Sequence, residues 1–175
     1  MKFCSNCAAP ITQRIPPGDA LPRHVCDACG SIHYQNPKLV VGAVPEWEGR
    51  ILLCRRAIEP RYGYWTLPAG FMENDETAAQ GAARETLEEA GARIDLIAPF
   101  SIISVPYVNQ VHVFYRARLV NLDFKPGEES LEVELFAEEQ IPWKDISFRT
   151  VGLTLKNWFA DRARGSFGFH AEDIK

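Results

Sequence analysis

Three glutamates crowd the last turns of one short predicted helix, in the stretch RETLEEAG over residues 84–91. On a helix, Glu85 faces both Glu88 and Glu89, and each like-charged pair costs roughly 0.2–0.5 kcal/mol. The helix dipole is negative at this end and adds to the cost. Because Mg²⁺ prefers oxygen ligands, one interpretation is a site for hard divalent cations. The alternative is a solvated acidic surface, relieved by an ion pair between Arg84 and Glu88.

A second group of candidate ligands lies near the N-terminus, where four of the five cysteines form two C-x2-C pairs. Eighteen residues separate the pairs, and this spacing favours a tetrahedral zinc site over a redox dithiol. A disulfide scaffold would require an oxidising compartment. His24 and His33 are spare ligands beside a complete set. Cys54, in the apolar stretch RILLCRR, is interpreted as a core residue. The predicted zinc ligands are Cys4, Cys7, Cys26 and Cys29.

The glutamates lie on a helix whose ends are marked in the sequence. Thr77 and Gln80 have the spacing of a capping box, which predicts that the helix begins directly after Thr77. Gly91 predicts its end, through a left-handed cap. The face opposite the carboxylates carries a modest apolar stripe, which predicts packing on a sheet with the acidic face presented to solvent. The stripe consists of Ala79, Ala83, Thr86, Leu87 and Ala90. The small residues that continue the acidic face are predicted to leave open space there; they are Ala78, Gly81 and Ala82.

The remaining segments predict the frame around this helix. Residues 1–36 have Pro and Gly punctuation and little apolar periodicity, which predicts a small Cys4 zinc ribbon held together by its metal. From residue 37 onward, apolar runs such as LVVGAV, ILLC and VHVFY read as strands. Apolar residues at helical spacing over 151–159 predict an amphipathic helix. The order of elements predicts an α/β protein, an α/β/α sandwich with a mixed sheet over residues 37–175.

Composition narrows the class of partner. The 175 residues are 46% hydrophobic and 24% charged, with a net charge of -4. A mildly acidic chain argues against a dedicated nucleic-acid binder, which usually has a basic face. No apolar run approaches the roughly 18 residues of a membrane span, and MKFCSNC lacks a signal-peptide core. These features predict a cytoplasmic protein without a membrane partner.

The stretch from Gly70 to Ala92 resembles the Nudix box, G-x5-E-x7-R-E-U-x-E-E-x-G-U, in which U is aliphatic. Thr86 and Ala92 stand where the pattern has larger aliphatic residues, a departure that concerns packing. The other motif positions are filled by Gly70, Glu76, Arg84, Glu85, Glu88, Glu89 and Gly91. The chain is therefore identified as a member of the Nudix hydrolases.

The resemblance implies a metal-dependent pyrophosphatase. In this family Mg²⁺ or Mn²⁺ is held by the residues at the positions of Glu85 and Glu89, with assistance from Glu88 and from the backbone carbonyl of Ala69. Arg84 and Glu76 are expected to orient these carboxylates. The metals neutralise the pyrophosphate and acidify a water molecule that attacks phosphorus. A pattern E-x2-E-x3-F, typical of zinc-ribbon members, aligns with Glu129, Glu132 and Phe136 and suggests Glu129 as the extra ligand or general base.

The zinc ribbon indicates the branch and the substrate class. The sequence is similar to plant organellar FAD and ADP-ribose pyrophosphatases, which implies AMP as one product and FMN or ribose 5-phosphate as the other. The alternative is an NAD(H) pyrophosphatase, although the marker that resembles S-Q-P-W-P-F-P-x-S is absent. A third alternative is a zinc-ribbon binding module without catalysis. Homodimerisation is expected by analogy. Candidate contacts to the small-molecule nucleotide are Arg55, Tyr64, Trp65 and Tyr107.

Overall fold

The computed structural model describes all 175 residues, and the chain divides into two compact units, Met1–Asn36 and Pro37–Lys175. The first unit is an antiparallel sheet of three short strands: β1 (Ile11–Arg14), β2 (Arg23–Cys26) and β3 (Ile32–His33). Its buried apolar residues are few: Cys4, Val25 and Cys26. So small a core supplies little hydrophobic stabilisation, and a structural metal is the usual supplement in such units.

The second unit is built on one mixed sheet of eight strands. These are β4 (Lys38–Trp47), β5 (Arg50–Arg56), β6 (Trp65–Thr66), β7 (Ala69–Phe71), β8 (Ile94–Val105), β9 (Gln110–Leu119), β10 (Ser130–Phe136) and β11 (His170–Asp173). The main path runs β10-β5-β4-β9-β8-β11, while β6 pairs with β5 and β7 pairs with β4. The pairs β4–β9 and β8–β11 are parallel, and the other pairs are antiparallel.

Two helices cover the sheet, α1 (Ala78–Ala90) and α2 (Arg149–Arg164). Strand β5 shows how they are placed, because successive side chains of a strand point to opposite faces. Leu53 belongs to the core that α2 completes with Leu155 and Trp158, whereas Leu52 packs in a second core with Ala90 of α1. The helices therefore lie on opposite faces, which confirms the α/β/α sandwich. Neither helix combines the length and the apolar character needed to cross a bilayer.

The local signals at the ends of α1 are confirmed. The backbone N–H of Gln80 donates to Thr77 Oγ1 at 3.2 Å, and the N–H of Thr77 donates to Gln80 Oε1 at 2.8 Å, which completes the capping box. Gly91 ends the helix at φ 60, in the left-handed region. Cys54 is 1% exposed, so the interpretation as a core residue is also confirmed.

The predicted orientation of α1 is confirmed for Thr86 and Ala90 of the apolar stripe, which are buried, but it is wrong for the acidic face. Glu85 and Glu89 are 9% and 6% exposed, whereas Leu87, assigned to the buried stripe, is 51% exposed. The small residues explain the difference, because they let the helix approach the sheet closely. A Cβ atom on Gly81 would lie 2.7 Å from Val41 Cγ2, so there is no open space beside it. Only Glu88 of the three glutamates keeps an exposed side chain, at 58%.

This close approach predicts opposite effects for the same substitution in the two helices. Gly81→Ala should destabilise the protein by about 1–3 kcal/mol, because overpacking against Val41 outweighs the helix propensity of Ala. Gly152→Ala in α2 should stabilise it by about 0.5–1 kcal/mol, since the new methyl meets Ile146 Cγ2 at an ordinary 3.9 Å. Urea unfolding of both variants measures the two changes. Changes of the same sign would contradict the packing of α1 described above.

Candidate active site

Strand β7 passes directly beneath the acidic helix and fixes the distance between them. A Cβ atom on Gly70 would overlap with the carboxylate of Glu85, so any other residue at this position would displace that carboxylate. The register of β4 with β7 pairs Gly42 with Ala69 and Val41 with Gly70, and this pairing holds β7 in place. The Gly of the motif therefore has a steric reason: it allows a backbone strand to touch a carboxylate.

Arg84 forms salt bridges with three carboxylates in the exposed half of the site. Its Nη1 donates to Glu85 Oε1 at 2.8 Å and to Glu88 Oε2 at 2.9 Å, and its Nε and Nη2 donate to the two oxygens of Glu76 at 3.0 and 2.9 Å. The guanidinium holds the pKa of Glu76 down to about 2, aided by the N–H of Glu73. One cation thus orients three carboxylates. The pair between Arg84 and Glu88 exists, and it is one part of this network.

Glu89 is the carboxylate without a cation. It forms no salt bridge, and its Oε2 accepts one hydrogen bond, from the backbone N–H of Ala69 at 3.1 Å. Burial raises its pKa to about 8, and the neighbouring charges of Glu85 and Glu129 add to the effect. Burial also raises the pKa of Glu85. A divalent cation would relieve this desolvated cluster, and carboxylate oxygens are the ligands that Mg²⁺ and Mn²⁺ prefer. The residues present therefore fit the implied metal.

The loop between β9 and β10 closes the C-terminal end of α1. The N–H of Lys125 donates to Ala90 O at 2.9 Å, and the N–H of Gly127 donates to Glu89 O at 3.0 Å. These bonds satisfy carbonyls that a helix end leaves open. The same loop carries Glu129 beside the helix glutamates, where its charge raises the pKa of both Glu85 and Glu89. Two segments therefore contribute to the repulsion at the helix end, and the charge of Arg56 offsets only part of it at Glu89, which forms no salt bridge.

A cavity of about 990 Å³ opens beside these carboxylates. Among the predicted site residues it is lined by Ala69, Arg84, Glu85, Glu88, Glu89, Glu129 and Tyr107. Glu76 stands behind Arg84 and acts on the site through it.

Three predicted substrate contacts lie outside the cavity lining. Arg55 donates to Glu132 Oε1 at 3.0 Å and to the carbonyl of Gly63, while its neighbour Arg56 lines the cavity. Because side chains alternate along β5, only one of the two arginines faces the cavity. That residue is Arg56, not the predicted Arg55. Trp65 packs edge-on against Phe136 in the core, with ring centroids 4.9 Å apart. Tyr64 stacks with Arg61 at 5.3 Å. As substrate contacts, Arg55, Tyr64 and Trp65 stay predictions, and the structure places all three outside the cavity lining.

Other lining residues carry no signal that sequence analysis could use. His112 comes from the middle of the sheet, where β9 pairs with β4, and burial lowers its pKa to about 4. It is therefore a neutral imidazole at pH 7, and its Nε2 lies 3.0 Å from Gln110 Oε1. Arg149 and Thr150 come from the beginning of α2. These residues belong to segments that read locally as ordinary strand and helix.

The four paired cysteines of the first unit converge as the spacing predicted. Their sulfur atoms all lie within 4.8 Å of one another, with Cys4 Sγ 3.7 Å from Cys29 Sγ and Cys7 Sγ 3.5 Å from Cys26 Sγ. A tetrahedral zinc with Zn–S bonds of roughly 2.3 Å places its sulfurs about 3.8 Å apart, so the cluster fits zinc. Hydrogen bonds from the side chain and backbone of Ser31 lower the pKa of Cys29 to about 6, whereas hydrogen bonds with the sulfurs of Cys26 and Cys29 raise the pKa of Cys7.

The two histidines near this cluster lie outside its ligand set. His33 Nε2 lies 3.3 Å from Cys4 Sγ, a distance that suits a hydrogen bond to a thiolate. His24 is paired with Gln13 on the neighbouring strand, at 3.4 Å.

Removal of the metal from this cluster should unfold residues 1–36 selectively. We expect Cys26→Ser, or a strong chelator, to abolish amide protection in the first unit while residues 37–175 keep theirs, because the first unit has almost no core of its own. Hydrogen exchange read by mass spectrometry, with bound zinc counted in parallel, measures this. Cys54→Ser is the matched control, since it changes a cysteine outside the cluster and should leave the zinc content unchanged. Full protection of residues 1–36 without metal would contradict the prediction.

Comparison with known proteins gives a consistent picture for both units. The model of the zinc-ribbon family described as Nudix N-terminal matches residues 2–35, and the model described as NUDIX domain matches residues 36–154. A solved structure titled as a NUDIX hydrolase from Nitrosomonas europaea is 55% identical, covers 99% of both chains and superposes with a TM-score of 0.97.

Two relatives have names that describe an activity. A protein named NAD-capped RNA hydrolase NudC from Chromobacterium violaceum is 30% identical over 133 residues, which are 75% of this chain and 48% of that protein. A protein named ADP-ribose pyrophosphatase from Methanocaldococcus jannaschii is 26% identical over 113 residues, which are 62% of this chain and 67% of that protein. The chain thus spans about half the length of the first of these relatives.

Proposed function

Because the chain belongs to the Nudix family, in the branch with an N-terminal zinc ribbon, we propose that it hydrolyses the pyrophosphate bond of a nucleoside diphosphate derivative. One observation carries the proposal: the buried carboxylate of Glu89, without a cation of its own, beside Glu85 and Glu129 at the mouth of a large cavity. Burying such a group is costly unless a metal or a proton compensates its charge.

Each residue of the cluster has a distinct role in this proposal. Glu85 and Glu89 would hold Mg²⁺ or Mn²⁺, with Glu88 assisting at the exposed side and Ala69 contributing its carbonyl. A bound divalent cation supplies neutralisation of the pyrophosphate charge and a lowered pKa for water. Arg84, locked by Glu76, keeps the carboxylates of Glu85 and Glu88 oriented. Glu129, which forms no salt bridge, is the candidate ligand or general base.

The substrate that we propose is a dinucleotide with an adenosine half, FAD or ADP-ribose, cleaved to release AMP. The cavity volume of about 990 Å³ suits a ligand of that size, and a relative named ADP-ribose pyrophosphatase supports the choice. NAD(H) is the second candidate, and the resemblance to a protein named NAD-capped RNA hydrolase favours it. A homodimer, a cytoplasmic location and the assignment of residues 1–36 to a zinc ribbon and 37–175 to a hydrolase domain remain predictions.

Release of AMP from FAD, ADP-ribose and NADH, assayed side by side with Mg²⁺ and with Mn²⁺, tests the proposal. We expect turnover of at least one of the three that depends on the added cation, with the ranking of kcat/KM identifying the substrate. A folded, zinc-loaded protein that cleaves none of them would contradict it and would favour a binding module instead.

A further inference from the structure

The amino end of α2 opens into the same cavity without a cap of its own. Phe148 is the N-cap residue, and its side chain cannot accept a hydrogen bond. The first N–H groups of a helix have no acceptor within the helix, and those of Arg149, Thr150 and Val151 find none elsewhere in the chain. A helix of 16 residues also concentrates positive potential at this end. Phe148, Arg149 and Thr150 all line the cavity.

An unpartnered hydroxyl lies at this point. Thr150 is 3% exposed, yet its Oγ1 has no hydrogen-bond partner. A buried donor left without an acceptor destabilises the folded state. Thr154, one turn later in the same helix, shows the ordinary arrangement: it is 0% exposed, and its Oγ1 lies 3.2 Å from Ser101 Oγ. Thr150 lines the cavity, so a molecule bound there can supply the acceptor that this hydroxyl lacks.

Two guanidinium groups give this part of the cavity a positive charge. Arg56 lines the cavity 5.2 Å from the ring of Phe148, and its Nε donates to Pro60 O at 2.9 Å. Arg149 reaches only the carbonyl of Lys175, at 3.4 Å. Neither arginine forms a salt bridge with an aspartate or a glutamate. The charge of Arg56 also acts on Glu89, so the positive group adjoins the glutamate cluster.

We infer that the amino end of α2, with the Thr150 hydroxyl and the guanidinium groups of Arg149 and Arg56, binds a phosphate group of the substrate. Helix amino ends with free N–H groups are established binding sites for phosphate, and arginine adds charge and paired donors. The inference rests on the proposed function for its ligand. The phosphate group bound here is either part of the scissile pyrophosphate or a phosphate monoester elsewhere on the nucleotide.

Binding of inorganic phosphate to the full zinc-loaded chain, without added Mg²⁺ or Mn²⁺, tests the site directly. Titration calorimetry should show about tenfold weaker binding for Thr150→Val and for Arg149→Gln, the loss expected for one charge-assisted hydrogen bond. Thr150→Val should not lower the melting temperature, because the hydroxyl has no partner in the chain. Thr154→Val is the matched control: it should lower the melting temperature and leave phosphate affinity unchanged.

Steady-state kinetics then separates the two sources. If Thr150→Val lowers kcat/KM equally for ADP-ribose and for ADP-ribose phosphorylated on its 2′-hydroxyl, the group bound is the scissile pyrophosphate. If KM rises only for the phosphorylated analogue, the group is a monoester. No binding of phosphate to the unaltered chain, or equal affinities in the unaltered chain and both cavity variants, would overturn the inference. Phosphate binding without turnover of any dinucleotide would support this site and contradict the proposed hydrolysis.

Discussion

Replacement of Glu89 by Gln should lower turnover by roughly 10²–10³-fold in the presence of Mg²⁺, because one carboxylate ligand supplies several kcal/mol of the metal's effect. Gln keeps the shape of the side chain and can still accept from the N–H of Ala69. The fold should therefore persist. Initial rates of AMP release across a Mg²⁺ titration separate weaker metal binding from slower chemistry. Full activity in this variant would contradict the placement of the metal.

In metal-free protein, Glu89→Gln should raise the stability of the fold, although it lowers turnover. The pKa of Glu89 is raised from 4.5 to about 8 in the folded state, so the folded state binds more protons than the unfolded chain between those values. Stability must then fall as pH rises from about 4.5 to about 8. Gln carries no charge at any pH, so Glu89→Gln should flatten this slope and melt at a higher temperature than the unaltered protein at pH 8.

Exposed Glu134 on β10 provides the control for both measurements. Glu134→Gln removes the same charge at the surface and should change neither turnover nor the pH slope. A pH slope that persists unchanged in Glu89→Gln would show that another group carries the penalty of burial. The buried charge of Glu89 would then no longer support the proposed metal site.

Gly127→Ala should lower the melting temperature by roughly 5–15 °C, from a loss of about 2–5 kcal/mol. A Cβ atom on Gly127 would overlap with the carbonyl oxygen of Glu88, so the loop must move away from α1. That movement breaks the hydrogen bonds from Lys125 and Gly127 that satisfy the carbonyls at the end of α1. It also displaces Glu129, so activity should fall together with stability. Differential scanning calorimetry and the AMP assay measure the two effects.

Gly168→Ala is the matched control, because a Cβ atom there meets no atom within 4 Å. Its melting temperature should stay within about 2 °C of the unaltered protein. A small effect of Gly127→Ala would show that the loop can retreat without cost, and Glu129 would then need another support for its position.

The sequence by itself determined the features that depend on neighbouring residues along the chain. The capping box of Thr77 and Gln80, the left-handed stop at Gly91 and the spacing of the glutamates all act within one segment. Local spacing therefore sufficed for the limits of α1. It also sufficed to recognise the two C-x2-C pairs as one zinc site, whereas the fold of residues 1–36 brings Cys4 to Cys29 and Cys7 to Cys26.

The tertiary structure decided which sides of these elements face each other. Periodicity assigned the acidic face of α1 to solvent, but Gly81 and Gly70 allow so close an approach that Glu85 and Glu89 become buried. The parity of β5 placed Arg56 in the cavity and Arg55 against Glu132. Such outcomes depend on strand register and on steric contact between distant segments, and neither leaves a periodic trace within one segment.

The amino end of α2 shows most clearly that contacts between distant segments cannot be predicted from the sequence. Thr150 and Glu85 are 65 positions apart in the sequence, and only the folded chain brings both to the lining of one cavity. Within its own helix Thr150 is indistinguishable from Thr154, which has a partner on β8. The chemical type of each residue was readable from the chain. Its state of charge, its burial and its missing partner came from the groups that folding placed around it.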